Sequence, residues 1–118
     1  MSSYRISIQN PGFNLIKSHK KTVEGRLDKG VFSHLQVGDT VYWYHTQTGE
    51  EVKTNIENIT KYPSFTSYLS TEGLETTLPL DTIDTIDKGV DLYYRYYTPE
   101  KEQMCGVLAL QLKIGESY

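Results

Sequence analysis

Residues 20–27 combine the side chains of this chain that could do chemistry. Lys20 and Lys21 precede Thr22, and Glu24 and Arg26 follow at alternating positions. Side chains of a β-strand point alternately to opposite faces, so Thr22, Glu24 and Arg26 would share one face. A hydroxyl, a carboxylate and a guanidinium beside two ammonium groups can bind and polarise a small polar ligand. The segment therefore predicts a site with both lysines at its entrance.

The same pattern also fits an ordinary ion pair on a solvated strand. Glu24 and Arg26 on one face would then contribute only about 0.2–1 kcal/mol to stability. Val23 and Leu27 point to the other face in either case and can enter a core. The choice between the two interpretations therefore depends on the rest of the chain.

Length and cysteine content predict one intracellular domain. A chain of 118 residues is large enough to bury a core, and we expect a single domain over 1–118. The single Cys105 cannot form an intramolecular disulfide, and its apolar neighbours predict an inert thiol buried in a strand. No apolar run approaches the roughly 20 residues of a membrane span, and the first residues do not resemble a signal peptide. We therefore expect a soluble cytoplasmic protein that does not enter a membrane.

The charge is distributed unevenly along the chain. Residues 1–61 carry eight Lys/Arg against six Asp/Glu, whereas residues 62–118 carry four against nine. A protein that coats duplex nucleic acid usually has a broad basic face, which this distribution does not predict. A small basic mouth fits a nucleotide, a nucleoside or a short single strand of RNA. Ten tyrosines and one tryptophan offer stacking surfaces, and the acidic segment 81–102 could dock a protein partner.

Hydrophobic periodicity and turn signals predict an α+β fold with a mainly antiparallel, closed sheet. Two short helices are expected to follow Asn10-Pro11 and Pro63, a further one is expected to begin at Asp81 as its N-cap, and Thr98-Pro99 predicts a turn. A β-bulge is expected near Glu57-Asn58. The predicted strands cover residues 4–9, 22–27, 40–45, 51–62 and 106–114.

Several common kinds of site have no counterpart in the sequence. The glycines are isolated and form no phosphate-binding loop, and no Ser-His-Asp arrangement has a recognisable spacing. His19, His34 and His45 lack paired ligands at metal-binding intervals, and only His45 could reach a pocket. We therefore expect neither a metal nor a cofactor.

One stretch of residues resembles a known family. Phe13, Ile16 and the element Lys21-Thr22-Val23-Glu24-Gly25-Arg26, followed by Gly38-Asp39-Thr40-Val41, are similar to the ASCH domain. The resemblance extends through Tyr62-Pro63-Ser64-Phe65 to the last apolar strand and so covers nearly the whole chain. It implies a PUA-like, mostly antiparallel β-barrel flanked by short helices, with a cleft beside the Lys-Thr strand. It also implies an association with RNA or modified nucleosides, and members of the family include hydrolases.

One branch of that family, the small N4-acetylcytidine amidohydrolases, is similar in more detail. These enzymes use a Lys, a Thr three residues later, and a Glu ahead of Thr-Leu-Pro. This chain has Lys21 at the first place and Glu72 at the matching distance before Pro79, but Glu24 occupies the place of the threonine. Thr22, on the same predicted face, is the remaining candidate for a nucleophile.

Three functional hypotheses follow. In a binding module, Lys20, Lys21, Thr22 and Arg26 would hold RNA or a nucleoside, and Glu24 would accept a hydrogen bond from an exocyclic amine. Whichever of Tyr42, Trp43 and Tyr44 faces inward would stack on the base, with Trp43 and Tyr44 as the main candidates. In a hydrolase such as an amidohydrolase or a ribonuclease, Lys21, Glu24 and Glu72 would be the catalytic groups. In an interaction domain, the acidic segment 81–102 would be the docking surface.

Overall fold

The predicted α+β fold is confirmed by the computed structural model, which describes residues 1–115. In this part of the chain no helix has both the length and the apolar character needed to cross a membrane. The strands are β1 (Ser3–Ser7), β2 (Val23–Leu27), β3 (Thr40–Tyr44), β4 (Glu51–Tyr62) and β5 (Val107–Ile114). The helices are α1 (Gly12–Lys17), α2 (Phe65–Glu72), α3 (Leu74–Thr77), α4 (Ile86–Tyr93) and α5 (Pro99–Cys105), with a 3₁₀ turn at Gly30–His34.

Within residues 1–115, five strands form one curved sheet in the order β1-β3-β4-β5-β2. The β3–β4, β4–β5 and β2–β5 pairs are antiparallel, as predicted, whereas β1 pairs in parallel with β3. The sheet forms a half-barrel rather than a fully closed one, with β1 and β2 as its two edge strands. An open seam therefore separates these two strands.

The predicted bulge in β4 is confirmed. The register between β4 and β5 shifts between Ile56 and Asn58. A bulge bends a strand and increases its twist. The 12-residue strand β4 can therefore pair with both β3 and β5 while the sheet curves around its core.

Two apolar clusters pack on opposite faces of this sheet. Side chains that alternate along β5 divide between them, because neighbouring residues of a strand face opposite sides. The first cluster contains Ile6, Ile8, Phe13, Ile16, Leu35, Val41, Trp43, Ile56, Leu108, Leu110 and Leu112. The second contains Val23, Leu27, Phe65, Tyr68, Leu69, Leu78, Val90, Tyr93, Val107 and Ala109.

The start of α4 differs from the sequence prediction. The helix begins at Ile86 and is capped by Thr85, whose hydroxyl accepts a hydrogen bond from the Lys88 N–H at 3.2 Å. Asp81 lies in a turn, so the prediction that it caps this helix is wrong. Both Asp and Thr favour the N-cap position, and residues 81–85 contain two of each, so the residue types alone do not fix which one caps the helix.

The turn predicted after Thr98 is a helix instead. Thr98 caps α5, and the buried Glu102 carboxylate accepts a hydrogen bond from the Phe65 N–H at 2.7 Å. This long-range contact holds a helix whose sequence has almost no apolar periodicity. Cys105 consequently ends α5 and is half-buried, rather than buried within a strand as predicted.

Candidate functional site

Strand β2 presents its charged residues to one face of the sheet, as its alternation predicts. Val23 and Leu27 are buried in the second apolar cluster on the other face. Glu24 and Arg26 project from the opposite face, where Glu24 is buried and Arg26 is only 17% exposed. These charges are therefore not a solvated surface pair.

The Glu24 carboxylate lies between two cations. Its Oε1 atom lies 3.0 Å from the Lys21 Nζ atom, and its Oε2 atom accepts a hydrogen bond from the Arg26 Nε–H at 2.9 Å. A buried charge is costly unless it is paired and hydrogen-bonded, and here each cation has the same anionic partner. The structure thus brings three of the predicted site residues into one cluster, which we call the charged triad: Lys21, Glu24 and Arg26.

Lys21 lies at the base of this cluster and not at its entrance. Its side chain is 3% exposed, and its ammonium group also donates a hydrogen bond to the Thr77 carbonyl oxygen at 2.5 Å. Thr77 is the last residue of α3, which packs beside β2. The end of a short helix therefore supplies the polar partner that makes burial of this lysine tolerable.

The electrostatics keep all three side chains charged at neutral pH. Burial alone would lower the pKa of Lys21, but the charge and hydrogen bond of the Glu24 carboxylate, together with the nearby Tyr93, raise the pKa above its ordinary value. Burial would raise the pKa of Glu24, and the two neighbouring cations lower it below its ordinary value. Burial would also lower the pKa of Arg26, but the neighbouring Glu24 carboxylate contributes to raising it above its ordinary value. The charged triad therefore carries a net charge of +1.

Arg26 spans the open seam of the half-barrel. Its Nη2 group donates a hydrogen bond at 3.4 Å to the Ser7 carbonyl oxygen of β1. Its guanidinium carbon lies 5.0 Å from the ring centre of Phe32 and 5.4 Å from that of Trp43. Cations attract aromatic faces within about 6 Å, so these rings help to hold the guanidinium in place.

A cavity of about 330 Å³ opens above the charged triad. The edge strands β1 and β2 form part of its wall, and residues of α1, α4, the segment after α3 and the loops before α1, after β3 and after α4 form the remainder. The lining residues are Ser7, Ile8, Gln9, Asn10, Pro11, Gly12, Leu15, Lys21, Glu24, Gly25, Arg26, Thr46, Leu78, Leu80, Leu92, Tyr93, Tyr96 and Tyr97.

The other polar residues predicted near the strand lie outside the cavity wall. Lys20 is exposed, and Thr22 is half-buried with its backbone N–H bonded to the Thr76 carbonyl oxygen at 3.0 Å. Neither residue contacts the charged triad through a hydrogen bond or an ion pair in the described part of the chain. The structure therefore gives Thr22 a backbone role at the start of β2.

The stacking role predicted for the β3 aromatics needs correction. Trp43 is fully buried, and its indole N–H donates to the Thr54 hydroxyl at 2.9 Å. Tyr44 lies under the Arg5 guanidinium, 3.7 Å from its ring centre, and does not line the cavity. The alternation of β3 turns Trp43 into the core, which leaves its ring no face for a base.

Glu72 is also separate from the charged triad. Its carboxylate accepts a hydrogen bond from the Tyr62 hydroxyl, and Glu72 does not line the cavity. Burial and this carboxylate raise the pKa of Tyr62 to about 12. The three residues predicted as catalytic groups therefore do not meet in one place.

Three tyrosines of the cavity wall were missed by the sequence reasoning. Tyr93 is buried, Tyr97 is half-buried, and Tyr96 is 65% exposed. All three lie at or just beyond the C-terminal end of α4. The spacing of Tyr93 and Tyr97, four residues apart after an apolar helix face, is the signal that places both on one side.

The histidines and acidic residues give no metal site within residues 1–115. His45 is buried beside Phe13, and its Nε2 atom lies 3.2 Å from the Asn10 Nδ2 atom. The acidic segment 81–102 is not uniformly exposed, because Glu102 is buried and Asp84 pairs with Lys88 at 2.7 Å.

The fold and the cavity define a small α+β domain whose half-barrel holds a buried charged cluster at its seam. The chain belongs to the ASCH domain family, whose model matches residues 6–116. This family is associated with RNA binding and with hydrolase activity. No curated protein matches the chain.

Solved structures are similar over almost the whole chain. The crystal structure of hypothetical protein PH0355 shares 30% identity with a TM-score of 0.85, covering 96% of this chain and 99% of that one. The solution structure of protein PF0455 from Pyrococcus furiosus shares 31% identity with a TM-score of 0.78, covering 98% and 99%. The ASCH structure from Zymomonas mobilis, at 20% identity and a TM-score of 0.62, covers 92% of this chain and 65% of its own, and supports the fold alone.

Proposed function

We propose that this protein binds RNA or a modified nucleoside, with a base seated in the cavity above the charged triad. The observation that carries the proposal is the buried net positive charge at the base of a largely apolar cavity. Ligand pockets combine apolar walls with a few fixed polar groups that orient the ligand. Lys21 and Arg26 are such groups, because Glu24 and neighbouring carbonyls hold both cations in place.

The size of the cavity favours a single base or nucleoside inside it. Its volume of about 330 Å³ is at the lower end of the range of about 300–1,000 Å³ for small-molecule sites. The remainder of an RNA strand would lie outside, along the mouth. The exposed ring of Tyr96 lies there and offers a surface on which a neighbouring base can stack.

Substitution of Lys21 by methionine is expected to weaken nucleoside binding about tenfold. The substitution keeps an unbranched side chain of similar length and removes a charged hydrogen bond, which is worth about 1.5 kcal/mol or more. Isothermal titration with uridine, cytidine, N4-acetylcytidine and short single-stranded RNA measures the affinity.

Lys61→Met is the matched control. Lys61 pairs with Asp28 at 2.9 Å on the surface, away from the cavity. Equal loss of affinity in both variants would contradict the placement of the ligand, provided that circular dichroism shows both to be folded. The absence of binding to any of these ligands by the wild-type protein would refute the proposal.

The variant Tyr96→Ala tests the stacking surface. We expect about a fivefold loss of affinity for short RNA, since stacking of one base contributes ~1 kcal/mol or more. The fold should be unaffected because the ring is largely exposed. Tyr44→Ala is the comparison, and its RNA affinity should remain at the wild-type level; the reverse order of effects would place the RNA on the β3 surface instead.

The hydrolase alternative has less support from the geometry. A general base must be able to take up a proton near neutral pH, whereas the pKa of Lys21 is raised by Glu24 despite burial. Glu72 is bonded to Tyr62 outside the cavity. The cluster is better suited to holding a ligand than to transferring protons.

A further inference from the structure

The free backbone groups of the two edge strands face the seam. Along β2, the Leu112 N–H donates to the Thr22 carbonyl at 2.8 Å, and the Asp28 N–H donates to the Gly106 carbonyl at 3.1 Å. Peptide groups of an antiparallel edge strand alternate between facing the partner strand and facing away. With the observed β2–β5 register, the peptide N–H and C=O of Gly25 therefore point away from β5, into the seam.

The same reasoning applies to β1. The Thr40 N–H donates to the Ser2 carbonyl and the Ile8 N–H donates to the Tyr44 carbonyl, each at 3.0 Å. The peptide groups of Ser7 therefore face the opposite side, toward β2. The hydrogen bond from Arg26 to the Ser7 carbonyl, at 3.4 Å, agrees with this direction.

Gly25 is suited to present its backbone to a ligand. Gly25 lines the cavity. Apart from the pairing of β2 with β5, its peptide N–H and C=O have no backbone hydrogen-bond partner among residues 1–115. A Cβ atom at this position would lie 2.6 Å from ring atoms of Tyr68, so the residue must be glycine for this ring to pack against the strand. The cavity thus contains the Gly25 carbonyl acceptor. It lies between Glu24, which holds the two cations in place, and Arg26, which is one of them.

Glu24 is already engaged by those cations. One of its oxygens pairs with Lys21 and the other with Arg26. Each oxygen keeps a second lone pair. An amine placed against either oxygen, however, would bring its N–H donors close to the N–H donors of Lys21 and Arg26, which repel them. The side-chain groups available to a ligand at the base of the cavity are therefore mainly hydrogen-bond donors.

We propose that the cavity selects pyrimidine bases that carry a carbonyl at position 4, as uracil does, over bases with an amine there. This inference rests on the proposed function. A uracil edge presents carbonyl, N3–H and carbonyl in sequence, which complements donors from Lys21 and Arg26 around the Gly25 carbonyl. A cytosine would direct its amine at the same donors. Glu24 is a positioning residue that holds both cations, and it does not read the base.

Titration of the wild-type protein with uridine and cytidine tests the preference. We expect uridine to bind about tenfold more tightly or better, because one matched base contact discriminates by roughly this factor. The ligand 3-methyluridine lacks the N3–H donor and should lose about tenfold relative to uridine. Equal or tighter binding of cytidine would overturn the inference while leaving nucleoside binding intact, and no binding of either nucleoside would overturn both proposals.

The variant Glu24→Gln separates positioning from direct contact. If Glu24 positions the cations, uridine affinity falls about tenfold and cytidine gains no advantage. If Glu24 instead accepts a hydrogen bond from the base amine, cytidine affinity falls selectively and uridine affinity is retained, which would overturn the positioning role. The wild-type comparison of uridine with cytidine decides the question of selectivity even where this variant does not fold.

Discussion

Replacement of Glu24 by alanine is expected to lower the free energy of unfolding by about 3–5 kcal/mol. Removal of one partner from a buried ion pair leaves an uncompensated charge in a medium that solvates it poorly. Here a single substitution leaves two such charges, because Lys21 and Arg26 share this carboxylate. Urea unfolding followed by circular dichroism measures the loss.

Glu51→Ala provides the matched control for that measurement. Glu51 pairs with Arg5 at 2.5 Å, and both side chains are at least 40% exposed. An exposed pair contributes about 0–1 kcal/mol, so this variant should remain close to the wild type. Similar losses in the two variants would mean that the charged triad is solvated in solution.

The pH dependence of the difference between the wild type and the Glu24→Ala variant has a definite sign. The folded-state pKa of Glu24 lies below its ordinary value of 4.5, so the unfolded chain takes up this proton first as the pH falls. The stabilisation by the carboxylate is complete above the unfolded pKa and is lost as the pH falls through the lower folded pKa. The difference should therefore be constant near neutral pH and decrease in acid.

Replacement of Gly25 by alanine is expected to destabilise the protein by about 3 kcal/mol. The new Cβ atom would lie 2.6 Å from the Cε2 and Cζ atoms of Tyr68 and 2.7 Å from its hydroxyl oxygen. Tyr68 is fully buried, so its ring cannot move into solvent, and overpacking of this kind costs about 1–3 kcal/mol. Thermal and urea unfolding both report the effect.

A double-mutant cycle tests the stated cause. In a Tyr68→Leu background the ring atoms that the new methyl group would meet are absent. The cost of Gly25→Ala should then fall well below its cost in the wild type, with a coupling energy above about 0.5 kcal/mol. Additive effects of the two substitutions would show that the strain arises elsewhere.

Local patterns were sufficient to predict β2 and its two faces. The alternation from Thr22 to Leu27 separates the charged residues from the apolar ones, and strand geometry permits only one arrangement of them. The bulge in β4 was predictable for a similar reason, because the apolar alternation changes phase near Glu57-Asn58. These features depend on neighbouring residues only.

Features that depend on distant residues were not predictable. Lys21 can be buried because the Thr77 carbonyl oxygen, 56 positions away, accepts a hydrogen bond from its ammonium group. The position of α5 beside the start of α2 depends on the contact between Glu102 and the Phe65 N–H, which no local pattern of α5 indicates. The parallel pairing of β1 with β3 likewise follows from the path of the whole chain.

The aromatic wall of the cavity shows the same limitation at the site. Trp43 in a strand and Tyr93 in a helix both have large apolar rings, and composition cannot tell which of them lines a cavity. The position of α4 relative to the seam decides this, and α4 is held there by its packing on α2. The charges of the site could thus be predicted from the sequence, whereas its walls could not.

The position of Trp43 has a practical consequence. Trp43 is the only tryptophan of the chain, and its side chain is fully buried. The Arg26 guanidinium carbon lies 5.4 Å from its ring centre. Indole emission responds to a nearby electric field, so displacement of that cation would shift the emission wavelength without any change in hydration of the ring. The emission of Trp43 therefore reports displacement of the Arg26 guanidinium at the seam without an added label.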